Sequence, residues 1–141
     1  MMIRSFRNSD LSRILEFKRQ SVRVSFPTCE FDDTLFLRLL KKAEPGSVLV
    51  ADDNDKVIGY VFLRTKKTST GTYGVVHHIF VDPDYRGKGI ATELMGKAED
   101  YFRSRGVKAA RSTITITNEP SLKMVRKLGY REKRIVFEKD L

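Results

Sequence analysis

Cysteine, histidine and acidic side chains are all scarce in this 141-residue chain, and each shortage removes a class of function. The one cysteine, Cys29, excludes an internal disulfide framework and a cysteine-based zinc site. No histidine neighbours it in sequence to activate it as a nucleophile, so it reads as a structural thiol. The only two histidines, His77 and His78, are adjacent, and the acids are scattered. That is not metal-ligand spacing, and no metal is expected. No apolar run approaches the roughly 20 residues of a membrane span, and Met1-Met2-Ile3-Arg4 does not read as a secretory leader. The expectation is a cytoplasmic protein with no membrane partner. With no repeat, low-complexity tract or linker, it reads as a single domain over residues 1–141.

The acidic deficit leaves a net charge of +9, from 27 basic and 18 acidic side chains. Such a balance raises nucleic-acid binding as a reading. The positive residues are nevertheless spread along the whole chain, with short runs only at Lys66-Lys67 and from Arg131 to Arg134. No RNA-binding aromatic signature, zinc finger or long basic helix accompanies them, so no specific nucleic-acid partner is expected. A basic surface also suits a polyanionic cofactor.

Hydrophobic periodicity orders the elements. Met2 to Arg7 reads as a short strand. Asn8-Ser9-Asp10 supplies helix-capping chemistry ahead of Leu11, Ile14, Leu15, Phe17 and Val22. Asp33 or Thr34 can cap a second helix, stopped by Glu44-Pro45-Gly46. Ser47 to Asp52 and Lys56 to Arg64 read as strands joined by a polar turn, Asp53-Asn54-Asp55. Lys66 to Thr72 reads as a second hairpin loop. Late in the chain, Val107 to Thr117 alternates as a strand. Asn118-Glu119-Pro120-Ser121 opens a helix ended by Gly129, and Tyr130 to Lys139 is strand-like again. The order is β-α-α-β-β-β-α-β-α-β, an α+β fold whose mixed sheet is covered by helices on both faces.

The chain is organised around Val75 to Gly106. Val75 to Val81 is β-branched and aromatic and reads as a buried strand, which Asp82-Pro83-Asp84 breaks. From Ile90, apolar residues recur on one helical face through Phe102, and Gly106 stands where a helix-ending glycine belongs. Between them lies Arg86-Gly87-Lys88-Gly89-Ile90-Ala91. A glycine-rich turn from strand into helix presents unpaired backbone N–H groups and the positive end of the helix dipole, so it is suited to an anion. Arg86 and Lys88 add charge, and the expectation is a phosphate or pyrophosphate site. Glycines also occur at ordinary strand-to-helix turns. Neither GxxxxGK[ST] nor GxGxxG is present, since Thr92 follows where a third glycine would stand.

The turn resembles the Arg/Gln-x-x-Gly-x-Gly/Ala signature of the GNAT N-acetyltransferase superfamily, with Arg86, Gly89 and Ala91 at the fixed positions and Val81 to Tyr85 similar to its lead-in. The element order is also that family's, and Asn118 to Tyr130 is similar to its Asn-x-x-Ala-x-x-Leu-Tyr-x-x-x-Gly-Phe segment, with Asn118 and Gly129 matching. The resemblance implies a mixed, mostly antiparallel sheet and acetyl-CoA as co-substrate. In it, residues 86–92 would hold the pyrophosphate, namely Arg86, Gly87, Lys88, Gly89, Ile90, Ala91 and Thr92. The backbone of Ile79, Phe80 and Val81 would pair with the pantetheine arm where the central strand splays from the next. Asn118, with Ser121 beside it, would sit at the mouth of that splay; on residue type alone, Asn118 is equally a helix cap.

The implied reaction is N-acetyl transfer from acetyl-CoA to a primary amine by direct attack in a ternary complex, in a monomer or homodimer. A non-catalytic acyl-CoA-binding sensor, or a basic nucleic-acid-binding protein, is the alternative. Two departures bear on the chemistry. The family's usual acid, a tyrosine, falls at Val125, and Tyr130 lies past the helix end. A strand carboxylate found in some members falls at Thr113. His77 is then the candidate base and His78 a weaker one, and adjacent strand positions would put them on opposite faces. Glu30, Asp32 and Asp33 lie where the family often builds its acceptor pocket; they read as a solvated loop that could attract a cationic amine. The acceptor itself is not legible.

Overall fold

The longest apolar alternations form the middle of the sheet. The computed structural model describes residues 1–28 and 30–141; Cys29 lies outside them. Five strands run in spatial order β1 (Met2–Ser5), β2 (Val48–Asp53), β3 (Lys56–Thr68), β4 (Gly71–Val81) and β5 (Ala110–Ser112). The first four pair antiparallel in sequence order, and β5 joins β4 in parallel. Asn54 and Asp55 both adopt left-handed backbone (φ 51° and 67°), the pair that a two-residue hairpin turn requires. Helices α1 (Leu11–Ser25) and α2 (Thr34–Lys41) cover one face, and α3 (Ile90–Ser104) and α4 (Glu119–Lys127) the other.

Each face has its own core. Ile14, Phe17, Phe36 and Leu40 pack on Val50, Tyr60 and Phe62, whereas Leu94, Met95, Ala98 and Phe102 pack on Ile58, Val61, Leu63 and Val76. The alternation along β3 (Tyr60 and Phe62 to one core, Val61 and Leu63 to the other) is what a strand buried on both sides must show. The expected fold class is the one observed.

Three boundaries differ from expectation. The Lys66 to Thr72 segment is not a loop. Its β-branched residues continue the ladder as far as Thr68 opposite Gly71, and the Thr68 hydroxyl closes the turn on the Gly71 carbonyl at 2.8 Å. The strand expected over Val107 to Thr117 shrinks to Ala110–Ser112, because only Gly74 to Val76 of β4 lies alongside it. The final strand, Tyr130 to Lys139, does not form: residues 131–141 are exposed and join no strand of the sheet among the described residues.

A further departure lies inside β4. His78 pairs with Phe62, but Val76 pairs with Leu63, so His77 is an extra residue with no partner on β3. This β-bulge interrupts the two-residue alternation. On the α3 side, Gly74 is buried beneath Phe102, whose ring would lie 2.5 Å from any added Cβ. Gly74→Ala is expected to destabilise the protein by about 1–3 kcal/mol through overpacking, as read by denaturant titration. The double variant with Phe102→Leu should recover part of that loss if the ring contact is the cause.

Candidate active site

The parallel contact between β4 and β5 ends at Val76 and Ser112, so from His77 to Val81 the β5-facing side of β4 is open. Asp82 N–H donates to the Ile58 carbonyl of β3 at 2.8 Å. Backbone groups of an antiparallel strand alternate between its two sides. Phe80 therefore also faces β3, and Ile79 and Val81 face the opening. Of the three residues expected to pair with a pantetheine arm, Ile79 and Val81 turn their backbone groups to the opening and Phe80 turns its own to β3. Phe80's ring packs against Phe17, with centroids 5.1 Å apart.

At the end of β4 the chain is locked before it turns. Asp82 accepts from the Asp84 N–H at 3.0 Å and from the Arg13 guanidinium of α1 at 2.6 Å. Arg86 donates from Nε to the Val81 carbonyl at 3.0 Å and lies over the Phe80 ring, 5.1 Å from its centroid. Gly87 and Gly89 then take left-handed backbone (φ 78° and 79°) with no atom within 4 Å of where a Cβ would be. The N–H groups of Gly87, Lys88 and Gly89 donate to nothing among the described residues. Ile90 is buried and offers only its backbone, Ala91 is half-buried, and Lys88 and Thr92 are exposed. Lys56, the first residue of β3, and Lys88 lie over the Tyr85 ring at 5.2 and 5.1 Å. A run of free N–H groups, open space where side chains would stand, and surrounding cations fit a pyrophosphate.

The bulge overturns the expectation that the histidines point to opposite faces. Both rings lie on the α1/α2 side: His77 against Phe62 at 5.2 Å, and His78 against Tyr60 at 5.2 Å and Phe36 at 6.5 Å. His78 is fully engaged, with Nδ1 on the Tyr60 hydroxyl and Nε2 3.1 Å from Ser21 Oγ of α1. Burial holds the Tyr60 phenol protonated, so it donates to Nδ1 and leaves Nε2–H to donate to Ser21. Burial, with help from Lys18 and His77, pushes the His78 imidazole down to about 3. It is a structural strut and not a base.

His77 is half-buried and has no hydrogen-bond partner among the described residues. Burial, then Arg64 and Lys18, hold its pKa below the ordinary 6.5, so it is neutral near pH 7 and free to accept a proton. Lys18 rests over the Phe36 ring at 5.5 Å, its own pKa lowered by burial. Neither Lys18 nor Arg64 forms an ion pair among the described residues. These two cations were not singled out by the sequence reading. Lys18 and Ser21 were detectable as polar residues at the core-facing spacing of Ile14 and Phe17.

The remaining candidates separate cleanly. Asn118 is a helix cap, its Oδ1 accepting from Ser121 N–H at 3.3 Å, and it stands exposed at the start of α4. Val125 is buried in the α3/α4 core. The Tyr130 phenol donates to Glu99 at 3.1 Å, and burial and that carboxylate both raise its pKa, so it is not poised as an acid. Thr113 is exposed. Asp32 and Asp33 are engaged locally, with the Thr34 N–H and with Arg19. Cys29 lies outside the described residues. No group of three or more His, Cys, Asp or Glu that could hold a metal ion occurs among the described residues.

A family model described as "Acetyltransferase (GNAT) family" matches residues 11–130. An uncharacterized N-acetyltransferase of Methanocaldococcus jannaschii is 34% identical over 104 residues, covering 72% of this chain; the chain spans 46% of that protein's length. The L-amino acid N-acyltransferase MnaT of Escherichia coli is 26% identical over 136 residues, covering 92% of this chain and 79% of that protein. Among solved structures, a tetramutant of the Bacillus halodurans BH1408 protein superposes with a TM-score of 0.84 at 22% identity, all of both chains being covered. An aminoglycoside 6'-N-acetyltransferase of Acinetobacter haemolyticus gives 0.74 at 23% identity, covering 100% of this chain and 99% of that one. At these identities the structural likeness is one of fold.

The His78 strut makes stability depend on pH. A pKa lowered on folding contributes stability above the unfolded value of 6.5, lost as pH falls toward about 3. Denaturant titrations between pH 6.5 and 5, ahead of most carboxylate protonation, should show stability falling in the native chain. The fall should be shallower in His78→Asn, whose side chain does not titrate.

Proposed function

The chain belongs to the GNAT acetyltransferase family, and we propose that within it this protein transfers an acetyl group from acetyl-CoA to a primary amine by direct attack. The observation that carries this is the open side of β4 leading into a glycine turn whose amides donate to nothing among the described residues. Acetyl-CoA supplies the acetyl group as an activated thioester. The Gly87 to Gly89 amides, the start of α3 and Lys88 would hold its pyrophosphate, and Asn118 would border the mouth. The Ile79 and Val81 N–H groups face the opening, where a backbone donor can polarise the thioester carbonyl.

His77 is the proposed base. An amine nucleophile must shed a proton, and a neutral imidazole on the same strand can take it directly or through water. With Val125 in the core and Tyr130 bound to Glu99, this chain offers no acid at those positions. A thiolate, whose parent thiol has a pKa of about 8.5, can depart unassisted. Lys18 and Arg64 beside His77 favour an acceptor that carries negative charge near its amine, such as an α-amino acid, and the name of the E. coli relative agrees. The buried Val125 and the lowered basicity of His77 also support a second reading, an acyl-CoA sensor without turnover.

Calorimetric titration with acetyl-CoA, beside dephospho-CoA and ATP, tests the cofactor. Binding should be clear in the native chain and at least about tenfold weaker in Gly89→Val, where a β-branched residue would have to hold left-handed backbone at a cost of about 1–3 kcal/mol. Equal binding by both would remove the phosphate-turn assignment, and binding without acetylation of any amine would favour the sensor. Steady-state kinetics separate the two acceptor-side roles. His77→Ala should lower kcat roughly a hundredfold or more. Lys18→Gln should raise KM for an amino acid and leave KM for its amide unchanged; an equal effect on both would remove the charge reading.

A further inference from the structure

The acids of this chain are unevenly placed as well as few. None occurs in residues 56–81 or in residues 101–118. The parallel pairing of β4 with β5 brings those two stretches side by side. They meet at the β3–β4 hairpin, whose ladder runs on through Lys66 opposite Tyr73, Lys67 opposite Thr72 and Thr68 opposite Gly71. β2 accompanies β3 only as far as Phe62, and β5 accompanies β4 only over Gly74 to Val76. The last three pairs therefore stand past the sheet as a free two-stranded ribbon, roughly 10 Å long at the usual rise.

This ribbon is cationic on both faces. Gly74, opposite Thr65, lies beneath Phe102 on the α3 side, so Thr65 and Lys67 share that face. Arg64 and Lys66 take the other face with Tyr73, over whose ring Arg111 lies at 3.8 Å. Lys108 is exposed at the root, next to the Ala109 carbonyl that accepts from Gly74 N–H at 2.8 Å. Lys66, Lys67, Lys108 and Arg111 form no ion pair among the described residues. Residues 64–72 are all exposed, and none of them is aliphatic or aromatic. A protein partner would need an apolar anchor, and the ribbon offers none. A bilayer would meet one face alone and reward an inserted apolar side chain. The major groove of B-form DNA, about 12 Å wide and about 8.5 Å deep, admits a two-stranded ribbon and has phosphates along both walls. The A-form major groove of duplex RNA is too narrow to be entered.

We propose that the β3–β4 hairpin is a docking element for duplex DNA and enters its major groove. Lys66 and Lys67, on opposite faces, meet phosphates on the two walls, while Lys108 and Arg111 hold the same backbone from the root. These contacts go to phosphate and carry no base preference. The hairpin leaves β4 at the end opposite the glycine turn, so the docking does not rest on the acetyl-CoA reading.

Fluorescence anisotropy of a labelled short DNA duplex, beside duplex RNA and phosphatidylserine vesicles, tests this on the full chain. DNA should bind at low salt, with log affinity falling against log salt at a slope of about −3.6 for four phosphate contacts. The double variant Lys66→Gln/Lys67→Gln should reduce that slope by about two and weaken low-salt binding at least about tenfold. Lys123→Gln/Lys127→Gln, which removes the same charge from exposed positions of α4, should leave the slope unchanged. Circular dichroism should be native in both. No DNA binding at low salt, or equal loss in the two double variants, would overturn the proposal. Tighter binding to RNA or to vesicles than to DNA would overturn it as well. So would release of DNA by acetyl-CoA, which would place the phosphates at the glycine turn.

Discussion

One extra residue in β4 governs how the two sides of this protein divide their work. Because His77 has no partner on β3, the alternation of β4 is reset between Val76 and His78. Below the bulge, Gly74 and Val76 belong to the α3/α4 core and the strand is held by β5. Above it, Ile79 and Val81 turn toward the opening while Phe80 and His78 pack under α1 and α2. Continued from Gly74 and Val76, an unbroken strand would send His77 to the α1/α2 side and His78 beneath α3. The bulge puts both rings on the α1/α2 side, with His77 near Lys18 and Arg64, neither of which forms an ion pair among the described residues.

The cost of turning polar groups inward is met locally. His78 is kept neutral by burial and satisfied at both ring nitrogens by Tyr60 and Ser21, so a titratable side chain can occupy the core without a counter-charge. Asp82 is satisfied by Arg13 and by the turn it caps, which fixes where the backbone leaves β4 and enters the glycine turn. The turn's own amides are the exception. Among the described residues they have no partner, and no atom stands within 4 Å of where a Cβ on Gly87 or Gly89 would be.

Much of this was legible in the sequence, for reasons that differ by element. The central strand, the glycine turn and α3 follow from local signals: an apolar run, proline and glycine breakers, and a helical stripe from Ile90 to Phe102. The turn glycines and the Asn118 cap are where residue type predicted them. The bulge was not legible, because an extra residue on one strand is defined only against its partner, and nothing in Val75 to Val81 marks it. The opposite-face reading of the histidines failed for that reason. The ladder through Lys66 to Thr72 was hidden by polar composition, since exposed hairpins need no apolar face. The segment after Tyr130 reads as a strand from its residues but has no strand neighbour among the described residues. Local propensity says what a segment can form, while pairing depends on what lies beside it.

Helix α1 joins the two ends of the site. Arg13 ties its first turn to Asp82 at the glycine turn, and Lys18 and Ser21 carry its later turns to the histidines. Five residues of helix separate Arg13 from Lys18, a rise of roughly 7.5 Å at the usual pitch. The helix therefore works as a gauge between the glycine turn and the two histidines. One residue inserted between them would swing Lys18 about 100° around the axis and out of the cleft. Side chains at positions 18 and 21 can be exchanged without moving the helix, but their distance along the chain from position 13 is not free to drift.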